Sequence, residues 1–258
     1  MNREESSHEI EQQLSGGYAT TKVVRVGTTV RRPPQDSSAF VAELLSLFEA
    51  AGFGGAPRYM GSDDQGRETF SYIAGEVPTS VRRFNDKQVS AAARLLRDMH
   101  DATRGSSLAG TQEVVCHNDL NVRNVVLQDD IPVAWLDFDM AAPGKAITDV
   151  AYLAWGFCIS SYWPPARSAT EQAAQVRVLA DAYGVTSAQR AELVSEVMAH
   201  QRRIVALADE RSEALANGQD GPPAVADPAF WDGVRDWASR DLEFTAQHAP
   251  LFRRALRV

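Results

Sequence analysis

A short polar loop between two apolar runs constrains this chain more than any other feature of its sequence. The stretch Cys116 to Leu127 reads CHNDLNVRNVVL, and it places an acid, Asp119, and an amide, Asn124, five residues apart. A surface turn needs only one or two polar residues, often with glycine or proline, and this loop contains neither glycine nor proline. One interpretation is a turn in which Asp119 and Asn124 cap their own backbone.

A predicted β-hairpin after the loop favours a second interpretation, a catalytic site. The segment NVVLQDDIPVAWLDFD has two apolar runs around the tip Gln128-Asp129-Asp130, and it ends in Asp137-Phe138-Asp139. Because a hairpin returns its second strand beside its first, Asp137 should come close to Asn124. Oxygen donors of this kind suit Mg²⁺, and Asp119 would be free to accept a proton from a hydroxyl. The arrangement suits phosphoryl transfer.

The hydrophobic pattern divides the chain into a strand-rich first part and a helical second part. Strands are predicted near residues 23–26, 30–31 and 67–78, with a helix over residues 37–53 between the second and third. A strong helix is predicted over residues 86–103, and nearly everything after Asp149 has helical periodicity.

The composition excludes several classes of function. A net charge of −8 over 258 residues argues against nucleic-acid binding, which usually needs a basic face. The charged N-terminus does not resemble a secretory signal, and no apolar run approaches the length of a membrane span, so we expect no membrane partner. The two cysteines, Cys116 and Cys158, do not make a disulfide framework, which favours a cytoplasmic location.

The loop and the hairpin together carry a resemblance to a known family. His117-x-Asp119-x-x-x-x-Asn124 followed by Asp137-Phe138-Asp139 resembles the motifs of the aminoglycoside phosphotransferase family, a choline/aminoglycoside kinase-like group related to the protein kinases. The segment GKAITDVA at 144–151 is similar to a further motif of that group. Asp139 stands where protein kinases have glycine, which is the usual pattern of the small-molecule branch.

The resemblance implies an α+β, bilobal, protein-kinase-like fold with a small β-rich N-lobe and a larger, mainly helical C-lobe. It predicts a flexible tail at residues 1–13, an N-terminal nucleotide-binding lobe at residues 14–76, and a catalytic and acceptor-binding lobe at residues 77–258. The cofactors implied are ATP, in preference to GTP, and Mg²⁺.

Roles in the C-lobe follow from the same resemblance. Asp119 matches the catalytic acid that orients and deprotonates the acceptor hydroxyl, while Asn124 and Asp137 match metal ligands. His117 matches a residue that braces the loop. Asp149 matches a buried acid that hydrogen-bonds the backbone of this loop; it could also cap the helix that follows.

Roles in the N-lobe are implied at five positions. Arg31, in TVRRPP, matches the phosphate-binding cation, with Arg32 as the alternative because a shift of one residue exchanges the two faces of a strand. Glu43 could pair with that cation or be a surface residue. The segment from Ser71 through Tyr72 to Ile73 is expected to bind the adenine edge. Gly16-Gly17 replaces the glycine-rich loop of protein kinases, and its role is left open.

The expected reaction is transfer of the γ-phosphate of the nucleotide to a hydroxyl of a small molecule. An aminoglycoside or a similar aminated natural product is the leading acceptor, and antibiotic resistance is the corresponding role. The alternatives are a metabolic kinase with a homoserine, choline-like or amino-sugar acceptor, and a catalytically silent kinase-like binding protein. Loss of the catalytic or metal-binding acid usually marks the silent class, and both acids are intact here.

Overall fold

A five-stranded antiparallel sheet forms the core of the N-terminal lobe. The computed structural model describes residues 11–14, 22–80, 82–162, 167–218 and 227–257. The sheet contains β1 (Glu11–Gln13), β2 (Val24–Val26), β3 (Thr29–Arg32), β4 (Tyr59–Ser62) and β5 (Glu68–Ser71), in the order β1-β2-β3-β5-β4. The predictions of β2, β3 and β5 are confirmed, whereas the sequence YMGS of β4 has no apolar alternation that marks a strand.

The predicted tail at residues 1–13 is corrected at its C-terminal end. Glu11–Gln13 pairs with Val24–Val26 as an edge strand of the sheet. Residues 1–10 lie outside the described residues, as do Gly16 and Gly17.

Helix α1 (Ser38–Ala50) links the sheet to the C-terminal lobe. Its buried side consists of Val41, Leu44, Leu45 and Phe48, the spacing expected of one helix face. The ring of Phe48 lies 5.5 Å from the ring of Phe138, measured between centroids. Helix α1 therefore packs against the segment that carries Asp137.

The C-terminal lobe is mainly helical, as predicted. Its elements are α2 (Asp86–Thr103), β6 (Val114–Cys116), β7 (Val125–Gln128), β8 (Ile131–Trp135), β9 (Ala142–Gly144), α3 (Ala146–Cys158), α4 (Ala169–Tyr183), α5 (Ser187–Ala216) and α6 (Pro228–Ala255). Strands β7 and β8 form the predicted hairpin, and β6 pairs with β9 in a second small antiparallel sheet. No helix in these ranges is both long and apolar enough to cross a membrane.

The first turn of α3 fixes the polar loop that follows β6. The carboxylate of Asp149 accepts hydrogen bonds from the backbone N–H of His117 at 2.6 Å and of Asn118 at 3.0 Å. Asn118 has a φ of 63°, in the left-handed region that few non-glycine residues adopt and in which asparagine is enriched. The bracing role inferred for Asp149 is therefore present in the structure, and it holds the loop in an unfavourable backbone conformation.

A buried histidine completes this brace. His100, near the end of α2, contacts Asp149 through Nε2 at 3.0 Å and the hydroxyl of Tyr183 through Nδ1 at 2.7 Å. Burial alone raises the pKa of Asp149, but the hydrogen bonds from His100 and the loop backbone outweigh it and hold that pKa below its ordinary value. Asp149 is therefore ionised in the folded chain at neutral pH.

We predict that Asp149→Asn lowers the free energy of unfolding by about 2–3 kcal/mol at pH 7, because it removes a charged acceptor from buried donors. The folded-state pKa lies below the unfolded value of about 4, so the stabilisation is present above that pH and is lost as the pH falls through the folded value. Urea denaturation should give a constant difference between the two proteins from pH 7 to pH 5 and a smaller one at pH 3.

The matched control is Asp209→Asn, which changes an acid that is 56% exposed on α5. This variant should differ from wild type by less than about 0.5 kcal/mol. Wild-type stability of Asp149→Asn, or a difference that grows on acidification, would contradict the brace.

Candidate active site

Three side-chain donors surround the carboxylate of Asp119. The Nδ2 group of Asn124 donates to Oδ2 at 2.6 Å, and that of Asn121 donates to Oδ1 at 2.9 Å. The hydroxyl of Tyr152, on α3, also donates to Oδ1, at 3.1 Å. The carboxylate is thus held in one orientation at the end of the loop.

His117 supports the same loop from inside the lobe. Its Nε2 donates to the carbonyl of Leu136 at 3.0 Å, and its Nδ1 accepts from the backbone N–H of Asp119 at 3.3 Å. Burial lowers the pKa of His117, so the ring is neutral and can both donate and accept. These contacts agree with a bracing role.

The hairpin brings Asp137 beside Asn124, as its geometry predicts. The N–H of Leu136 donates to the carbonyl of Asn124 at 2.8 Å, and Asp137 is the next residue. Both Asn124 and Asp137 line one cleft between the lobes. Asp137 has a φ of 62°, a backbone strain that often accompanies functional positions.

The charges around Asp137 fit a hard divalent cation. Burial, together with the neighbouring charges of Asp139 and Asp119, raises the pKa of Asp137 to about 6, although Arg32 opposes this effect. The Nδ2 group of Asn124 is directed to Asp119, which leaves its Oδ1 for another partner. A carboxylate oxygen and an amide oxygen beside excess negative charge form the donor set that Mg²⁺ prefers.

Arg32, the alternative to Arg31, is the residue at the cleft. Its two terminal nitrogens donate to both carboxylate oxygens of Asp139 at 2.7 Å, and its Nε donates to Glu68 at 3.2 Å. Arg31 lies on the other face of β3, with Nη1 3.6 Å from the carboxylate of Asp63. The expected strand register is therefore corrected by one residue.

Glu43 lies outside the cleft. It is an exposed residue of α1 and borders a shallow surface depression with Tyr59 and Leu108. The acids that hold the cleft arginine are instead Glu68, on the neighbouring strand, and Asp139. Glu43 therefore does not form the ion pair with the cleft arginine that the kinase resemblance suggests for it, because it lies on the exposed side of α1.

The cleft has a volume of about 370 Å³ and includes the predicted adenine-binding segment. Ser71, Tyr72 and Ile73 line it. Among the described residues, neither the N–H nor the C=O of Ile73 has a hydrogen-bond partner, so both can pair with a ligand. Whether this segment binds a nucleotide stays a prediction.

A close backbone contact ends this segment. The N–H of Glu76 donates to the carbonyl of Leu127 at 2.9 Å, and the N–H of Leu127 donates back at 2.8 Å. Gly75 has a φ of 150°, and a Cβ there would lie 2.5 Å from the Leu127 carbonyl oxygen. Only glycine fits where the chain passes from the sheet to the hairpin.

Two site residues carry no motif that would identify them. Tyr152 lies three residues after Asp149, and this helical spacing on α3 is the only signal that could have placed it near the loop. Arg123 precedes Asn124 and lines the cleft.

Three further aromatic residues, Trp155, Tyr162 and Trp163, follow Asp149 in the second half of α3 and just beyond it, and they have different positions. Trp155 is buried, with its Nε1 donating to Asp241 at 2.8 Å. Tyr162 is exposed, and Trp163 lies outside the described residues.

Comparison with known proteins places this geometry in a family. The profile of the phosphotransferase enzyme family matches residues 103–193, which include the loop, the hairpin and α3. The trifolitoxin immunity protein of Rhizobium leguminosarum bv. trifolii is 31% identical over 267 aligned residues, covering 94% of this chain and 97% of that protein.

Solved structures share the fold at low identity. A choline/ethanolamine kinase family protein from Mesorhizobium loti aligns with a TM-score of 0.58 at 17% identity, over 98% of this chain and 94% of the other. A spectinomycin phosphotransferase in complex with ADP and spectinomycin aligns with a TM-score of 0.61 at 9% identity, over 93% of each chain. The kinase-like fold predicted from the motifs is thereby confirmed. The profile match over the loop, the hairpin and α3, together with a relative that aligns over nearly the whole chain, shows that this chain belongs to the phosphotransferase enzyme family.

Proposed function

We propose that this chain is an ATP- and Mg²⁺-dependent kinase that transfers the γ-phosphate to a hydroxyl of a small molecule. The observation that carries the proposal is the meeting of Asp119, Asn124 and Asp137 at one end of a cleft between the lobes. At the cleft wall, Ile73 offers for the adenine edge a backbone donor and acceptor that have no partner within the described part of the chain. The N-lobe, to about residue 76, would hold the nucleotide, and the rest of the chain would hold the acceptor.

Four residues of the site have separate roles in the proposed reaction. Asp119, with its carboxylate fixed by three donors, orients the acceptor hydroxyl and takes its proton. Asn124 and Asp137 would hold Mg²⁺, which when bound supplies positive charge to the phosphate oxygens. Arg32 supplies a planar cation suited to bidentate contact with phosphate. Catalysis then consists of positioning and charge neutralisation.

The acceptor that we favour is an aminoglycoside or a similar aminated natural product. The relative named for immunity to trifolitoxin and the fold shared with a spectinomycin phosphotransferase support a role in protection against an antibiotic or toxin. The fold shared with a choline/ethanolamine kinase family protein keeps a metabolic alcohol as the second candidate. A silent binding protein is the third, and the three intact polar residues of the site argue against it.

The test is phosphorylation of a panel of hydroxyl compounds by ATP·Mg²⁺, with Asp119→Asn as the control. The panel would contain aminoglycosides, spectinomycin, choline, ethanolamine and homoserine. We expect product from at least one amine-bearing compound and a loss of about 10²–10⁴-fold in kcat for Asp119→Asn, since the amide keeps the shape but cannot take the proton.

The KM for ATP should change little in Asp119→Asn, because Asn124 and Asp137 are unaltered. ATP binding without any phosphorylated product from wild type would favour the silent class. Turnover like that of wild type in a folded Asp119→Asn variant would exclude Asp119 as the base.

Asp137→Ala should lose Mg²⁺-dependent ATP binding and turnover together, because the carboxylate is proposed to hold the cation. Isothermal titration with ATP at several Mg²⁺ concentrations measures the first, and the panel assay measures the second. Asp64→Ala, at an exposed position in the turn before β5, is a control that should change neither. An unchanged Mg²⁺ dependence in Asp137→Ala would remove Asp137 from the ligand set.

Arg32→Ala should raise the KM for ATP by about 10–100-fold, the effect of losing charge-assisted hydrogen bonds to phosphate. Arg31→Ala is the matched control on the opposite face of the same strand and should change the KM far less. Arg32→Lys keeps a cation beside the buried Glu68. It therefore tests the loss of bidentate phosphate contact without the instability that an unpaired buried carboxylate would cause. Greater damage from Arg31→Ala than from Arg32→Ala would return the phosphate contact to Arg31.

A further inference from the structure

Tyr152, on α3, connects the helices of the C-terminal lobe to the carboxylate of Asp119. Its hydroxyl donates to Oδ1 of Asp119 at 3.1 Å. The other two donors to this carboxylate, Asn121 and Asn124, belong to the same loop and lie two and five residues from Asp119. Tyr152 is therefore the donor, among the described residues, that ties the carboxylate to a different element.

Helix α3 holds the loop at two points that are one turn apart. Asp149 accepts from the backbone of His117 and Asn118, and Tyr152, three residues later on the same face, reaches the side chain of Asp119. The first contact fixes where the loop runs, while the second fixes how the carboxylate is turned. Burial and the nearby charge of Asp119 raise the pKa of Tyr152, so the phenol keeps the proton that it donates.

The ring of Tyr152 is itself held in place by α5. It stacks on His200, with the ring centroids 4.2 Å apart and the planes inclined by 29°. His200 is buried, and its Nδ1 accepts from Arg203 at 3.0 Å. Because a stacked ring on a packed helix has few alternative orientations, the hydroxyl is presented to Asp119 in one position.

We propose that Tyr152 is a positioning residue of the phosphotransferase reaction: it holds Oδ1 of Asp119 so that the carboxylate faces the acceptor hydroxyl. This inference rests on the proposed function. It assigns to α3 a direct part in the orientation of the base, beyond the backbone brace that Asp149 supplies. It also makes the geometry of the base depend on α5, through the stack of Tyr152 on His200.

The test is Tyr152→Phe, which keeps the ring and its stack and removes only the hydroxyl. The assay uses ATP·Mg²⁺ with the acceptor found in the panel, and ATP hydrolysis with water as acceptor. We expect kcat to fall about 10-fold, the effect of one hydrogen bond to a charged group, while the KM for ATP stays within about twofold because no nucleotide-facing group changes. Tyr59→Phe, the same substitution on β4, should leave kcat unchanged.

A double-mutant cycle separates positioning from a general structural effect. If Tyr152 acts through Asp119, then Tyr152→Phe should cause no further loss of kcat in an Asp119→Asn background, because the group that it positions is already disabled. A merely structural role would give the same fractional loss in both backgrounds, together with a parallel fall in Tm. Residual turnover of Asp119→Asn can be measured in single-turnover assays at high enzyme concentration.

The outcomes are distinct for the inference and for the proposed function. Loss of kcat in Tyr152→Phe that disappears in the Asp119→Asn background supports the inference. An active wild type with unchanged kcat in Tyr152→Phe, or with equal losses in both backgrounds, would overturn it alone. A wild-type chain that consumes no ATP with any acceptor or with water would overturn the proposed function, and this inference with it.

Discussion

The hydrogen bonds from the backbone of His117 and Asn118 to Asp149 are the contacts on which the rest of the site depends. They hold a loop whose second residue, Asn118, has a left-handed backbone conformation, which asparagine tolerates better than other non-glycine residues but which still costs energy. The acceptor is charged and buried, so each of these bonds is stronger than one between neutral groups. Without these two hydrogen bonds, the backbone of the loop would be held less firmly, and so would the positions of Asp119 and Asn124 at the end of the cleft.

The site concentrates negative charge that the protein itself balances only in part. Asp119, Asp137 and Asp139 are close enough for two of them to raise the pKa of the third, while Arg32 opposes this effect. Carboxylates that share a site repel one another, and the repulsion weakens when a cation joins them. This imbalance gives a physical reason for a site of this construction to take up a divalent cation together with a phosphate ligand.

The sequence predicted the parts of the site whose geometry is local. The loop, the hairpin and the convergence of Asn124 with Asp137 follow from apolar runs and from the return of a hairpin strand. The register of β3 could not be obtained this way, because Arg31 and Arg32 are adjacent and identical, and the two faces of the strand both carry polar residues. In the structure Arg32 is at the cleft.

Contacts between elements that are distant in the sequence could not be predicted either. Glu43 was a plausible partner for the cleft arginine because of its place on α1, yet Glu68 and Asp139 take that role from a strand and a loop that tertiary packing brings together. Tyr152 donates to Asp119 across 33 positions of sequence. The spacing of three residues from Asp149 places Tyr152 on the side of α3 that faces the loop, but it does not specify the hydrogen bond to Asp119.

The two acids that hold Arg32 differ in a way that matters for the proposed reaction. Glu68 is 2% exposed and contacts Nε, the nitrogen nearest the side-chain stem, whereas Asp139 contacts the two terminal nitrogens at the cleft. A phosphate that enters the cleft would compete with Asp139 for the terminal nitrogens, since a carboxylate and a phosphate each present a pair of anionic oxygens that can accept two parallel hydrogen bonds from a guanidinium. Because Glu68 keeps its contact to Nε during this exchange, the guanidinium does not have to leave its position on β3. The arginine can therefore exchange its anionic partner without leaving a buried carboxylate unpaired, which would otherwise cost several kcal/mol, on the order of 3–5.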